Sequence, residues 1–433
     1  MKNKNNKISM VTLGCAKNLV DTEILVGGLK NNNYEITSST ENSDIVIVNT
    51  CGFLDKAREE SIDTILDFGR LRKAGKIKKL IAMGCFTERY GGAVEDEIPE
   101  VDAVFGSEDH ASVLTYLTGK DFQKNDPDFQ RSTLTPRHYA YLKISEGCDN
   151  TCSFCSIPLM RGLQQSQPIE WNAMEAKRLV SNGVKEILVI GQDTTTYGWD
   201  FDKKKGIHDL FDELDKIDEL DWLRLHYAHP AHLNNKMIDR FGTLDRLIPY
   251  IDMPVQHGSK KILADMRRGL APDGIKRKID MLRSVQPEIA IRTSIVVGFP
   301  GETDKEFQEL VDFIEDIEFD RLGVFTYSEE EGTYGAEAFI DDVPKEIKEQ
   351  RREEIMLLQQ KINYNKNKKL IGSKQKVLID HCNNEGVSLG RTYRDSPEID
   401  NYVKISARLE PGNFYEVKIT EALEYDLIGE VSN

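Results

Sequence analysis

The sequence lacks three features that each mark a large class of proteins. No run of about 18 apolar residues occurs in the 433-residue chain, which argues against a membrane-spanning helix. The first residues carry no apolar stretch of signal-peptide length, so we expect a soluble, cytoplasmic protein whose thiols stay reduced. Basic residues are in the minority, with 57 Lys and Arg against 73 Asp and Glu. Nucleic-acid binders usually rely on basic surface, so we expect no direct binding to nucleic acid.

The sequence does contain a closely spaced cysteine triplet, Cys148, Cys152 and Cys155, in the run ISEGCDNTCSFC. Three thiolates at this spacing can bind three irons of a four-iron, four-sulfur cluster and leave the fourth iron without a protein ligand. A cluster that only carries electrons usually has four protein ligands. The triplet therefore favours a cluster whose fourth iron binds a ligand that is not a protein side chain.

Two other interpretations of this triplet fit less well. A structural zinc site usually has four Cys or His ligands, and neither His138 nor a more distant residue stands at zinc-finger spacing. A disulfide framework gains no support from an odd number of cysteines, seven, in a chain that we expect in a reducing compartment.

Three further cysteines stand at equivalent places in successive strand–helix units. The apolar runs ISMVTLGC, DIVIVNTC and LIAMGC end at Cys15, Cys51 and Cys85. Helical patterns follow these runs, near Asp21, Lys56 and Thr87. Alternating strands and helices predict an N-terminal α/β domain with a parallel sheet. One cysteine after a strand is most often a small buried hydrophobe. Neighbouring strands end about 5 Å apart, however, so three thiolates at one sheet edge can converge on a second cluster.

The middle of the chain predicts a second α/β region. Residues 118–139 are polar and typical of a linker. From about Tyr139 to Phe339, six strand candidates alternate with helical segments, which predicts a partial (βα)6 barrel of the TIM type. The candidates are AYLKIS, EILVIG, WLRLHY, IDMPV, AIRTSIVVGF and RLGVFTYS. Chemistry in such barrels lies at the strand carboxyl ends, and Cys148 follows the first strand.

The predicted secondary structure changes twice toward the end of the chain. Ile355, Leu358 and Ile362 recur at helical spacing in a long charged segment, which predicts a helix packed on the barrel. Short β runs from Lys374 onward predict a small antiparallel β-barrel, in which Cys382 is a plain thiol. The predicted domains are residues 1–124, 134–365 and 366–433.

Together these segments resemble the methylthiotransferases of the radical S-adenosylmethionine (SAM) superfamily over essentially the whole chain. The shared runs are LGCAKNLVDTE, NTCGFLDKAREES, GCFTERY, TPRHYAYLKISEGCDNTCSFCSIPLMRG, IGQDTTTYG, DMPVQHGS and RTSIVVGFPGET. The resemblance implies an N-terminal methylthiotransferase domain, a radical SAM core and a C-terminal TRAM barrel. The chain departs from the family pattern in GLQQSQPIE, where Gln167 stands in place of an expected arginine.

The resemblance implies two four-iron, four-sulfur clusters, one on each cysteine triplet, and SAM as cofactors. In the family, the open iron of the closely spaced triplet chelates the methionine end of SAM. The aromatic residue before the last cysteine, here Phe154, lies against the adenine. Gln192 and Arg292 are further candidates for SAM contacts, since Arg can pair with a carboxylate through two hydrogen bonds. An ordinary structural hydrogen bond is an equal alternative for each.

Within the family, the resemblance is closest to the branch that modifies an aspartate of small-subunit ribosomal protein S12. It implies that a radical from SAM removes hydrogen from the aspartate β-carbon, that the second cluster delivers sulfur, and that another SAM supplies the methyl group. An external reductant such as flavodoxin or ferredoxin is implied as electron donor. Residues 374–433 hold seven Lys and Arg but eleven Asp and Glu, which suits a basic protein substrate.

Two alternative functions remain open from the sequence. A tRNA adenosine methylthiotransferase has the same chemistry but acts on RNA. A non-catalytic iron–sulfur redox or sensor protein binds clusters and performs no SAM chemistry.

Overall fold

The computed structural model describes residues 6–123, 130–202 and 205–432, and the chain divides into two compact units. The first unit comprises Met1–Leu134, Glu146–Asp149 and Ser156–Leu163. The second comprises Thr135–Ser145, Asn150–Cys155 and Gln164–Asn433. Residues 124–129 of the predicted linker lie outside the described residues. Among the described residues, every helix is too short or too polar to span a lipid bilayer.

A parallel five-stranded sheet forms the centre of the first unit, as predicted. Its strands are β1 (Lys7–Thr12), β2 (Glu35–Thr37), β3 (Ile45–Thr50), β4 (Lys79–Gly84) and β5 (Ala103–Val104). Their order in the sheet is β2-β1-β3-β4-β5. The helices are α1 (Ala16–Asn31), α2 (Asp55–Lys73), α3 (Cys85–Glu97), α4 (His110–Thr118) and α5 (Ile157–Arg161). All six residues of β3 are buried, which is why it reads as a continuous apolar run.

Helix α1 begins at Ala16, earlier than the predicted start near Asp21. Its first turns bury the polar residues Lys17, Asn18 and Glu23. Buried polar side chains conceal the apolar period on which a helix prediction depends. The predicted start was therefore wrong, and these polar residues lie beside the first of the three strand-end cysteines.

The described end of the predicted linker is packed against α1. The Glu23 carboxylate accepts hydrogen bonds from Arg131 Nε at 2.7 Å and from the Leu134 backbone N–H at 2.5 Å. A Cβ placed on Gly27 would lie 1.8 Å from the carbonyl oxygen of Gln130, so only glycine permits this approach. Residues 130–134 are therefore held on the helix.

All six strands predicted for the second region are present and parallel. Two short strands, β7 (Ser145–Glu146) and β8 (Gln165–Ser166), interrupt their numbering. The six are β6 (Tyr139–Lys143), β9 (Glu186–Ile190), β10 (Trp222–Leu225), β11 (Leu247–Asp252), β12 (Ala290–Val297) and β13 (Arg321–Thr326). They form one sheet in the order β13-β12-β11-β10-β9-β6, as a partial barrel requires.

Helices cover this sheet and continue beyond it. They are α6 (Ile169–Ser181), α7 (Ile207–Leu214), α8 (Asn235–Arg240), α9 (Lys260–Asp265), α10 (Pro272–Val285), α11 (Asp304–Ile317), α12 (Tyr334–Ala338) and α13 (Lys345–Lys368). Ile355 and Ile362 of α13 are buried in the main core and Leu358 packs against it, which confirms the predicted packing face.

Strand β11 begins earlier than the predicted run IDMPV. Pro249 lies inside it and cannot donate a ladder hydrogen bond. The pairing with β10 shifts there, from Leu223 opposite Leu247 to Leu225 opposite Ile251. The proline explains why the first half of this strand was missed.

The C-terminal residues form a closed five-stranded barrel, as predicted. Its strands are β14 (Lys374–Cys382), β15 (Ser388–Arg391), β16 (Val403–Ile405), β17 (Phe414–Ala422) and β18 (Leu427–Val431). Neighbouring strands are antiparallel except β16 and β18, which pair in parallel. Val377, Ile379, Val417 and Ile419 fill the interior.

Buried ion pairs join this small barrel to the larger sheet within the second unit. Arg391 Nη2 lies 2.8 Å from Glu186 Oε2, and both side chains are fully buried. Arg321 Nε donates to Asp395 Oδ1 at 2.8 Å. Removing either partner of such a pair leaves a buried charge without a partner, which is costly. The ion pairs therefore hold the small barrel firmly on the larger sheet.

Candidate functional site

Cys15, Cys51 and Cys85 follow three adjacent strands of the first unit. Strands β1, β3 and β4 are neighbours in the sheet, and each cysteine lies just past the carboxyl end of its strand. Cys15 is exposed, whereas Cys51 and Cys85 are each 7% exposed. The structure therefore brings the three predicted ligands to one sheet edge.

Close backbone packing fixes this edge. A Cβ placed on Gly14, whose φ is +89°, would lie 2.7 Å from Cys51 Sγ, so the turn before Cys15 needs glycine. The Cys51 backbone N–H donates to Ser61 Oγ at 3.0 Å, and the Ser61 hydroxyl donates to the Cys51 carbonyl at 2.9 Å. These contacts hold the backbone of Cys51 in place.

The buried thiols suit an iron–sulfur cluster. Burial raises the pKa of Cys51, and it raises the pKa of Cys85 to about 12, with Arg161 opposing the shift. Such thiols stay protonated near neutral pH unless a metal replaces the proton. In the part of the chain that the structure describes, no histidine or carboxylate is hydrogen-bonded to these three sulfurs, which match the ligands of a cluster with one open iron.

A buried arginine, Arg161 at the end of α5, completes this sheet edge. Its Nε donates to Cys85 Sγ at 3.1 Å, and its Nη1 lies 2.7 Å from Asp21 Oδ2 and 3.3 Å from Glu146 Oε2. Nη2 donates to Asn18 Oδ1 at 2.5 Å. Burial alone would lower the pKa of Arg161, but Asp21 and Glu146 raise it well above its usual value. Neither hydrophobic periodicity nor residue spacing indicates this arginine.

The first cysteine of the closely spaced triplet is fixed by its own backbone. The Cys148 N–H donates to the Gly162 carbonyl at 3.1 Å. A Cβ on Gly147, whose φ is +76°, would lie 2.2 Å from the Leu163 carbonyl oxygen. Glycine is therefore required directly before Cys148.

The second half of the same triplet is anchored in the second unit. The Cys155 N–H donates to the Cys152 carbonyl at 3.2 Å, which closes a turn. Between them, the Ser153 N–H donates to the Met266 carbonyl at 3.1 Å and its hydroxyl to the Asp265 carbonyl at 2.7 Å. The loop is thus held by the end of α9.

Arg268 donates a hydrogen bond to a sulfur of this triplet, as Arg161 does to Cys85 of the strand-end triplet. Its Nη1 donates to Cys152 Sγ at 3.3 Å and its Nη2 to the Pro254 carbonyl at 2.7 Å. Its Nε has no hydrogen-bond partner among the described residues, although the side chain is only 6% exposed. A buried unpaired donor beside a thiol fits a site that takes an anionic group.

The three predicted SAM contacts have different surroundings. Phe154 is half-buried and packs against the cluster of Ile262, Met266, Phe299 and Tyr327. Gln192 is half-buried just past the carboxyl end of β9, where barrel ligands bind. Both positions are compatible with the predicted contacts, which stay predictions.

Arg292 forms two ion pairs, and its predicted contact with SAM stays a prediction. Its Nη1 lies 2.9 Å from Asp252 Oδ1, and its Nε lies 3.2 Å from Asp400 Oδ1 of the C-terminal barrel. Arg292 is the third residue of the eight-residue strand β12, toward its amino end. The sequence could not reveal this, because Asp400 lies 108 residues away in the chain.

Asp193, His229 and His232 form a buried polar cluster that sequence reasoning missed. Their ligand atoms all lie within 4.8 Å of one another. Asp193 already accepts from His232 Nδ1 and Asn150 Nδ2, each at 2.8 Å, and from the Thr195 N–H and hydroxyl. Because hydrogen bonds fill both carboxylate oxygens, this cluster fits an anchor for the Cys148–Cys152 loop better than a metal site. The sequence feature that could have indicated this cluster is an aspartate directly after Gln192, just past the end of a predicted strand.

Gln167, which departs from the family pattern, and His257 of the shared run DMPVQHGS have ordinary structural contacts. The Gln167 side chain is exposed, and its backbone N–H donates to the Ile144 carbonyl at 2.8 Å. His257 is fully buried; its Nε2 lies 3.1 Å from Glu302 Oε2, and its Nδ1 accepts from the Ser259 N–H. His257 therefore has a structural role, as a buried histidine with both ring nitrogens in contact with protein groups.

Three family models match successive parts of the chain. Residues 7–106 match the model described as Uncharacterized protein family UPF0004, residues 142–314 match the Radical SAM superfamily, and residues 371–431 match the TRAM domain. Each match lies inside one predicted domain, and the boundaries 1–124, 134–365 and 366–433 stay predictions. A solved radical S-adenosylmethionine methyltransferase, TsrM from Kitasatospora setae, has a similar fold, with a TM-score of 0.57 and 12% identity over 77% of each chain.

Curated relatives match almost the whole chain. The ribosomal protein uS12 methylthiotransferase RimO of Clostridioides difficile (strain 630) is 43% identical over 98% of both chains. The protein of the same name from Aquifex aeolicus (strain VF5) is 45% identical over 98% of this chain and 96% of its own. That of Christiangramia forsetii is 44% identical over 99% and 95%. The chain therefore belongs to the RimO family of radical SAM methylthiotransferases.

Proposed function

We propose that this chain adds a methylthio group to the β-carbon of an aspartate in small-subunit ribosomal protein S12. The observation that carries the proposal is the pair of cysteine triplets, each with a buried arginine donating to one sulfur. Family membership supplies the reaction and the substrate class. The C–H bond beside a carboxylate is too weakly acidic for an ordinary base, which favours a radical route.

Two four-iron, four-sulfur clusters and SAM are the proposed cofactors. Cys148, Cys152 and Cys155 would hold the cluster that binds SAM, and Cys15, Cys51 and Cys85 would hold the second one. When bound, these groups supply the radical, the sulfur and the methyl group that the protein side chains cannot supply. The protein residues have the task of holding sulfur ligands and excluding water.

The side chains beside the closely spaced triplet have distinct proposed tasks. Phe154 offers a ring face to the adenine from a packed apolar cluster. Arg268 Nε–H is available for an anionic group beside Cys152. Asn150, held by Asp193, keeps the loop between Cys148 and Cys152 in place.

Burial of charged side chains reduces the acidic excess on the surface of the C-terminal barrel. In residues 374–433 the exposed acidic side chains are Glu385, Glu398, Glu410, Glu416, Glu421, Glu424 and Glu430, and the exposed basic ones are Lys374, Lys376, Lys404, Arg408 and Lys418. The acidic excess thus falls from eleven against seven to seven against five. We propose a basic protein substrate because the chain belongs to this family. A cytoplasmic location, an external reductant and no direct binding to nucleic acid are further parts of the proposal.

Mass spectrometry of S12 from cells with and without the gene tests the substrate. We expect the methylthio mass on one aspartate with the gene, none without it, restoration by a Cys382→Ala variant and none by Cys152→Ala. Loss of a methylthio group from tRNA instead, with S12 unchanged, would support the RNA-modifying alternative. Failure of the fully loaded, reduced protein to cleave SAM would support the sensor alternative.

A further inference from the structure

Arg161 connects two parts of the sequence that the motifs treat separately. It stands six residues after Cys155, in the LMRG run, yet its guanidinium binds Cys85 of the other triplet. All of its partners, including Asp21 and Glu146, belong to the first unit. The residue is therefore part of the strand-end site, although its sequence neighbours belong to the closely spaced motif.

The three nitrogens of this guanidinium have separate partners. Nη1 faces the carboxylates of Asp21 and Glu146, and Nη2 faces Asn18 Oδ1. Nε alone faces Cys85 Sγ. A role limited to neutralising the carboxylates would not need Nε on a sulfur at 3.1 Å, whereas the planar fork fixes all three directions together.

The neighbours hold Arg161 in this orientation. Asn18 Nδ2 donates to the carbonyls of Leu13 and Thr50, at 2.8 and 2.9 Å, which fixes the amide that Nη2 meets. Both carbonyls lie beside the strand-end cysteines, so the sheet edge itself orients the arginine. The two carboxylates keep it charged in a buried place.

We infer that Arg161 is a positioning residue of the second cluster, which holds Cys85 as a ligand and raises the reduction potential of that cluster. The inference rests on the proposed second cluster. Hydrogen bonds to cysteine sulfur and nearby charge are the main protein terms that set such potentials. An N–H donor offsets the negative charge gained on reduction, so its removal lowers the potential.

The test uses the full chain with Cys148, Cys152 and Cys155 all changed to Ala, so that only the second site is loaded. In this background, Arg161→Lys keeps a positive charge for Asp21 and Glu146 but lacks the planar fork. We expect about four irons per chain to be bound before the change. After it, we expect a lower midpoint potential in an EPR-monitored redox titration, or loss of iron with an unchanged unfolding midpoint. Full iron with an unchanged potential would overturn the inference.

A second measurement needs no substitution of Arg161. In the same background, pulsed EPR of the reduced cluster should show a weak nitrogen coupling that changes when arginine is labelled with ¹⁵N. The chain with Cys15, Cys51 and Cys85 changed to Ala is the matched control, because there Arg268 should give the coupling at Cys152. A spectrum unaffected by the label overturns the role of Arg161, even if the Lys variant fails to fold. Absence of iron from the second site of the parent chain would instead refute the second cluster, and the inference would fail with it.

Discussion

The two cysteine triplets present three sulfurs each, but they are built differently. Cys148, Cys152 and Cys155 lie on one short loop, so their spacing in sequence almost determines their spacing in space. Cys15, Cys51 and Cys85 come from three strand ends and meet only because β1, β3 and β4 are neighbours in the sheet. A loop site can be found by its spacing, whereas a sheet-edge site needs the fold before it can be found.

The arginines beside the two triplets differ in the same manner. Arg161 is saturated by two carboxylates, an amide and a sulfur. Arg268 has one backbone carbonyl and one sulfur, and its Nε is unpaired among the described residues. Each nitrogen of the Arg161 guanidinium thus has a partner, while Arg268 has an unpaired N–H that is available to a ligand.

Replacing each triplet by alanines should give the largest effects, and it tests whether the two triplets hold different clusters with different functions. Changing Cys148, Cys152 and Cys155 should halve iron from about eight to about four per chain and abolish reductive SAM cleavage. Changing Cys15, Cys51 and Cys85 should also halve iron but leave SAM cleavage, with transfer of the methylthio group lost. Cys382→Ala is the control and should change neither. Iron analysis and a cleavage assay on the reconstituted chain decide, and unchanged iron in either triple variant would remove that cluster assignment.

Replacing each arginine tests the contrast in saturation. In the metal-free chain, Arg161→Leu should lower the free energy of unfolding by about 3 kcal/mol, because it leaves two carboxylates buried near a lost partner. Arg268→Leu should cost about 1 kcal/mol, since it removes a donor that was already unpaired. Urea unfolding of the two variants against the parent measures both. Equal costs would show that the two arginines are held alike.

Acid should lower the stability of the region around the closely spaced triplet, because His229 is buried there. The described contacts of Arg161 include no histidine. Burial, and then nearby Arg268, lower the pKa of His229 to about 3, although Asp193 opposes this. An unfolded histidine has a pKa near 6.5, so the stability contribution is present above that pH and is lost as pH falls toward 3. Between pH 7.5 and 5.5 the loss should be about 1 kcal/mol.

The variant His229→Gln should remove this part of the pH dependence. His381→Gln, at an exposed histidine of strand β14, is the matched control and should leave it in place. Urea unfolding at the two pH values is the measurement. A slope unchanged by His229→Gln would place the acid-sensitive group elsewhere.

The contrast between loop and sheet edge also explains what the sequence could predict. The six cysteines and all six strands of the partial barrel followed from spacing and alternation. Arg161, Arg268 and Asp193 did not, because an arginine or aspartate acquires its partner only when distant segments meet. The ion pair between Arg292 and Asp400 could not be predicted for the same reason, since Asp400 comes from another predicted domain.

The start of α1 was hidden by a related effect. Asn18 and Glu23 are buried because they face polar partners beside the cysteines and in the segment 130–134. Burial of polar groups opposes the apolar pattern from which helices are predicted. The start of α1 is therefore harder to predict than the starts of α2 and α3, which also follow strand-end cysteines.

The buried contacts of the C-terminal barrel limit how these domains can be exchanged between relatives. Glu186 meets Arg224 of its own sheet at 2.7 Å and Arg391 of the small barrel at 2.8 Å. A barrel grafted from an RNA-modifying relative would have to bring its own cation to this carboxylate and acidic partners to Arg321 and Arg292. Chimeras cut near residue 366 should therefore fold only when both partners of each ion pair are transferred together, so the residues that dock the barrel on the sheet must change as a set.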